Sequence, residues 1–207
     1  MFELKEMPYI EKLDGILSFK NLVEDFAPRL VNQELGKNKS DELRRLWENE
    51  SEKIPEDASY KDKYEIAYRN LLQNWVTANN FMGKYQGEDG TTKYMRAAVS
   101  AWKRKYAGSA FALRIIGGAS KKTAFRILSK RLAYQLQVFS PFSVSEFDED
   151  HMTLNVSSCK IVGVRKRNDF CLMACQNIIP VWLEGQFNVR MSHNPQGENC
   201  TVTFAPF

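Results

Sequence analysis

The chain predicts an α+β fold, an N-terminal helical layer packed on a four-stranded antiparallel sheet. Two observations predict it. Through the first two thirds of the 207 residues, apolar side chains recur at three- and four-residue spacings, the period of a helix buried along one stripe. From Ser140-Pro141 onward the period drops to two, as in strands covered on one face. The strands form two hairpins flanking one helix, a ββαββ order.

The elements follow in turn. Residues 13–36 carry Leu13, Ile16, Val23, Phe26 and Val31 at helical spacings. Pro28 lies inside the run and is expected to kink the helix or split it near Ala27. Asn38 with Asp41 three residues on resembles a capping box for the next helix, which holds Leu43, Leu46 and Trp47. Charged residues 48–58 with Pro55 read as a loop. Ser59 with Asp62 starts a long helix, expected to end in the turn cluster GKYQGEDG at 83–90. Another helix covers about 92–106, and Ala107-Gly108 interrupts it. A short apolar helix over 109–116 is broken by Gly117-Gly118, and Ser120 caps the last long helix. Strands are expected near 142–147, 151–159, 185–193 and 199–205, with turns at Asp148-Glu149-Asp150 and in HNPQGEN. A helix near 168–179 joins the hairpins and is expected to end at Pro180. The segments 1–140 and 141–207 read as one domain.

Composition narrows the classes. Hydrophobic residues make up 43% and charged residues 26%, which excludes a disordered or collagen-like chain. No apolar run reaches the roughly 18–20 residues of a membrane span, and MFELKEMPYIEKL has no signal-peptide core. A cytoplasmic protein without a membrane partner is the expectation. The net charge of +4 is too mild to indicate nucleic acid. The basic clusters Lys103-Arg104-Lys105, Lys121-Lys122, Lys130-Arg131 and Arg165-Lys166-Arg167 read as solvated faces or turns.

Chemistry concentrates in the cysteines Cys159, Cys171, Cys175 and Cys200, all in the last third. Cys171 and Cys175 are four apart and would share a helix face. Four thiolates could complete a tetrahedral zinc site, with His193 as a substitute ligand. Buried thiols are also ordinary small apolar residues, and a nucleophile or redox pair is the third reading. As a nucleophile Cys171 ranks first. It falls in the first turn of its helix, behind Arg165, Lys166 and Arg167, where the dipole and basic charge favour a thiolate. Cys175 is expected to be more buried. His151 and His193 read as solvated residues at turns, and Glu184 as a surface acid. No zinc-protease, serine-hydrolase or phosphate-loop signature occurs. Trp75, Phe81, Trp102 and Phe125 could line an apolar pocket or fill the core.

The strand ending in cysteine (MTLNVSSC), the cysteine-bearing helix (DFCLMACQNIIPVWLEG) and the closing hairpin (NVRMSHNPQGENCTVTF) resemble the 4-vinyl-reductase-like small-molecule-binding domains. They are also similar to the family of L-2-amino-thiazoline-4-carboxylic acid hydrolase-like proteins. The wider fold resembles small vesicle-tethering subunits. The resemblance covers about 65 residues, 142–204. It implies a small-molecule-binding protein, or a hydrolase acting on a small C–N or C–S substrate, with a pocket between helices and sheet. The alternative is a non-enzymatic interaction protein that docks a partner through an exposed helix face. A small-molecule ligand is the expected partner, with a homodimer left open. Lys160 after Cys159, and Pro180 after the cysteine pair, depart from the family's pattern.

Overall fold

The computed structural model describes residues 4–161 and 171–206, and only the backbone of Ala119, Cys171 and Leu172. The fold is α+β. Its elements are α1 (Tyr9–Leu35), α2 (Lys37–Glu50), α3 (Tyr60–Lys105), α4 (Ala107–Ala119), α5 (Lys121–Leu136), β1 (Ser143–Phe147) and β2 (Met152–Val156). A π-helix (Cys171–Ile178), α6 (Ile179–Phe187), β3 (Val189–Gln196) and β4 (Asn199–Pro206) complete it. The chain divides into two compact units: Pro8–Ala101, and Trp102–Phe207 together with Met1–Met7.

The first unit is helical. Pro28 does not split α1, which is one helix from Tyr9 to Leu35. A mid-helix proline costs about 3 kcal/mol in an exposed helix. Here Pro28 is buried, and its carbonyl accepts a hydrogen bond from Ser40 Oγ at 2.9 Å. The break between α1 and α2 comes from Gly36, whose φ of 89° is a glycine conformation. Asn38 is therefore the second residue of α2 and not its cap, and no side chain caps that helix. Ser59 does cap α3: its Oγ accepts from the Asp62 N–H at 3.1 Å.

Helix α3 is two arms. Gly87, at φ 61° and ψ −142°, is the non-helical residue within it. Tyr94 Oη donates to the Trp75 carbonyl at 3.2 Å, nineteen residues back. A straight helix would separate those residues by about 28 Å, so the chain doubles back at 87–90. The turn expected within 83–90 is there, compressed to a few residues. Around it packs an aromatic core, with Trp75 against Tyr94 at 6.1 Å and Phe26 against Tyr94 at 5.4 Å. Two buried side chains of this unit are hydrogen-bonded to backbone: Trp47 Nε1 donates to the Asn74 carbonyl, and the Asn70 amide bonds both backbone groups of Glu52.

The second unit carries the sheet, ordered β1-β2-β4-β3 and antiparallel throughout. Two cross-strand rows, Met152–Phe204–Met191 and Leu154–Val202–His193, lie on its covered side. Helix α5 packs on β4, and α6 with the π-helix packs on β3. Helix α4 runs through Gly117 and Gly118 and ends at Ser120, whose extended backbone (φ −158°) makes the break. Ser120 Oγ then accepts from the Thr123 N–H at 3.2 Å, as its position predicts.

Two boundaries differ from expectation. Strand β2 ends at Val156, so Cys159 lies beyond it, after Ser158 in the left-handed region (φ 58°). Strand β3 begins at Val189 because 179–187 is helical. Pro180 opens α6 and does not end a helix. It has no N–H to donate, and the change from π- to α-helix coincides with it.

Candidate functional site

A cavity of about 370 Å³ opens in the sheet unit. Helix α4 contributes Leu113, Arg114 and Gly117, and α5 contributes Lys121, Phe125 and Leu128. The opposite wall is the corner where α6 passes into β3, with Gln186, Phe187, Asn188 and Val189, closed by Pro206 of β4.

Local chemistry sets these walls. Gly117 is placed so that an added Cβ would meet the Ala124 Cβ at 3.5 Å, so small residues let α4 and α5 approach closely. Asn188 caps α6 in the left-handed conformation, φ 54° and ψ 44°, and its N–H bonds the Glu184 carbonyl at 3.2 Å. Asparagine tolerates this better than most residues, and the reversal starts β3 at once. Gln186 is buried and engaged at both ends of its amide. It accepts from Trp182 Nε1 and donates to the Lys103 carbonyl at 2.8 Å. Trp182 in turn packs edge-on against Trp102 at 5.2 Å and at a tilt against Tyr106 at 5.1 Å. Burial there pushes the Tyr106 hydroxyl up to about 12.

The lining is apolar apart from a few polar groups. Arg114 and Lys121 are exposed, and among the described residues neither makes an ion pair. An apolar cavity edged by two unneutralised cations suits a molecule with an apolar body and an anionic end.

Of the four aromatic candidates, Phe125 lines this cavity. Trp102 is buried next to the Trp182 wall. Trp75 belongs to the aromatic core of the helical unit, where Phe81 is also buried and stacks on Tyr85 at 4.9 Å. Arg114 and Asn188 are lining residues that the sequence did not single out, and Lys121, expected on a solvated face, also lines the cavity. A signal existed for one of them: Arg114 is the lone charge in AGSAFALRIIGGA.

Cys171 and Cys175 share the π-helix, whereas Cys159 follows β2 and Cys200 lies in β4. Cys159 accepts from Ser140 Oγ at 3.7 Å, and its N–H donates to the Glu198 carbonyl at 2.7 Å. Cys200 sits in β4 between Val156 and Pro195. Cys175 is half-buried and not deep against the sheet. The buried positions described in the π-helix are Met173, Ala174 and Ile178, and Cys175 is not among them. The side chain of Cys171, and the run Arg165-Lys166-Arg167, lie outside the described residues. Among the described residues no group of three or more His, Cys, Asp or Glu could hold a metal ion. His193 is mid-strand and half-buried, opposite Val202, because the turn after it shrinks to Gly197 and Glu198. His151 is a surface residue, 3.1 Å from Glu146 and 2.9 Å from Asp148.

No family model matches the chain, and no curated protein matches it. Among solved structures it is similar to the crystal structure of an Fe(II) unliganded H-NOX protein from K. algicida. That likeness has 12% identity and a TM-score of 0.35, over 88% of this chain and 94% of that one. A likeness this distant defines neither fold nor ligand here.

Proposed function

We propose that this is a small-molecule-binding protein whose ligand occupies the cavity between α4–α5 and the α6–β3 corner. The observation that carries it is the apolar cavity of about 370 Å³ with Arg114 and Lys121 on its lining. That volume falls within the range of ligand pockets, roughly 300–1,000 Å³. The two cations select an anionic end, a carboxylate or an equivalent group, and the apolar walls select the body. The resemblance of 142–204 to 4-vinyl-reductase-like domains supports the same reading.

The test is a panel of small aromatic and medium-chain carboxylates beside the matching alcohols. A bound acid at a hundred times its Kd stabilises the fold by about 2.7 kcal/mol and raises Tm by several degrees. The alcohol should bind about tenfold more weakly, and Arg114→Ala with Lys121→Ala should abolish that preference. Acids that bind the double variant as tightly as the parent refute the assignment.

The hydrolytic form of this reading uses Cys171 as nucleophile. Iodoacetamide at neutral pH should then label Cys171 before Cys159, Cys175 and Cys200. Preferential labelling of another thiol removes the covalent mechanism and leaves the binding reading intact.

A further inference from the structure

Helix α4 turns two large apolar side chains outward. Phe111 is 66% exposed and Ile115 is 63% exposed, the highest values among the large hydrophobic side chains described. They are four apart and so share one side of the helix. Gly108, Ala112 and Gly118 are exposed with them, which leaves the stripe smooth. Lys103-Arg104-Lys105 precedes the helix, and Lys121-Lys122 follows it.

The charge along this stretch of chain is one-sided, although Lys122 is paired with Glu149 at 2.7 Å. Residues 102–145 contain nine basic residues and no Asp or Glu. All nine are exposed. Since the whole chain carries only +4, the remainder is net acidic, and the mild total conceals a concentrated basic segment.

We propose that α4 docks the protein on the surface of an anionic lipid bilayer. Phe111 and Ile115 enter the boundary between headgroups and acyl chains, and the flanking lysines and arginines neutralise the headgroups. The thirteen residues of α4 span about 20 Å, enough to lie in the interface. Among the described residues no helix is long and apolar enough to cross a membrane, so the attachment is to the surface. Nucleic acid would satisfy the cations but leave Phe111 and Ile115 in water. A bilayer accommodates both.

The experiment is co-sedimentation with vesicles of phosphatidylcholine alone, and with about one-third phosphatidylserine. Binding to the anionic vesicles should be at least about tenfold tighter than to neutral ones and should weaken with added salt. Phe111→Ser with Ile115→Ser should weaken it about tenfold, with circular dichroism and Tm unchanged because both side chains are exposed. Arg104→Glu, at an exposed cation, should weaken it through charge. Equal binding to neutral vesicles, full binding by the Phe111→Ser/Ile115→Ser variant, or tighter binding to duplex DNA than to anionic vesicles overturns the proposal.

Discussion

Tyr106 shows how one side chain links packing to pH. Its ring lies 5.1 Å from Trp182, and burial raises its hydroxyl to about 12 from the ordinary 10.0. A phenol whose folded value is raised contributes stability that is complete below the unfolded value and lost as pH climbs through the folded one. Part of the thermal stability should therefore disappear between pH 10 and about 12, amounting to no more than about 2–3 kcal/mol. Tyr106→Phe cannot ionise, so its melting curve should fall less steeply over that window. A variant that loses stability in parallel with the parent would show that other groups dominate. Gln186 is the second residue of this cluster. Its replacement by Ala leaves the buried Trp182 indole N–H without its acceptor and the Lys103 carbonyl without its donor. The expected cost is about 1–3 kcal/mol, read by chemical denaturation.

The αα-hairpin inside α3 depends on glycines. A Cβ at Gly90 would stand 2.2 Å from the Met82 carbonyl oxygen, a backbone atom that cannot swing aside. Gly90→Ala should cost about 2–4 kcal/mol and separate the two arms. Gly87→Ala is strained for a different reason, its φ of 61° with ψ −142°, and should cost about 1–3 kcal/mol. If Gly90→Ala unfolds at the same denaturant concentration as the parent, the close approach is not maintained in solution. The prolines behave oppositely. Pro28 and Pro180 read as helix breakers, yet one is buried inside α1 and the other starts α6. Local propensity loses to packing in the first case. In the second, the proline occupies the first turn of a helix, where a missing N–H costs little.

Each unit of the molecule has its own buried set, and stability and binding should separate accordingly. Leu72 is fully buried in the helical unit, whereas Leu128 is buried in the sheet unit and lines the cavity. Both Leu→Ala replacements should destabilise by about 2–5 kcal/mol. Leu128→Ala should also change affinity for the best carboxylate of the panel, while Leu72→Ala should leave affinity unaltered below its melting temperature. Calorimetric titration of the two variants decides this, and an equal loss of affinity in both would argue against the cavity as the site.

Periodicity alone determined the class of this fold: helices to about residue 136, then four antiparallel strands around a helical connection. Local capping was equally legible, at Ser59 and Ser120, because an N-cap needs only a side-chain oxygen near two or three nearby N–H groups. What tertiary structure decided was which residues meet. The cavity joins residues of α4 and α5 to Asn188 and Pro206, 60 to 96 positions away, and no sequence spacing encodes such a juxtaposition. Phe125 was a pocket candidate on sequence grounds, but Trp75 and Phe81 proved to be buried elsewhere, since an aromatic suits a core and a pocket equally well. The charge of residues 102–145 was written in the sequence throughout. Only the structure showed that all nine cations are exposed and that α4, within the same stretch, turns Phe111 and Ile115 to the solvent, because exposure is set by what the remaining chain leaves uncovered.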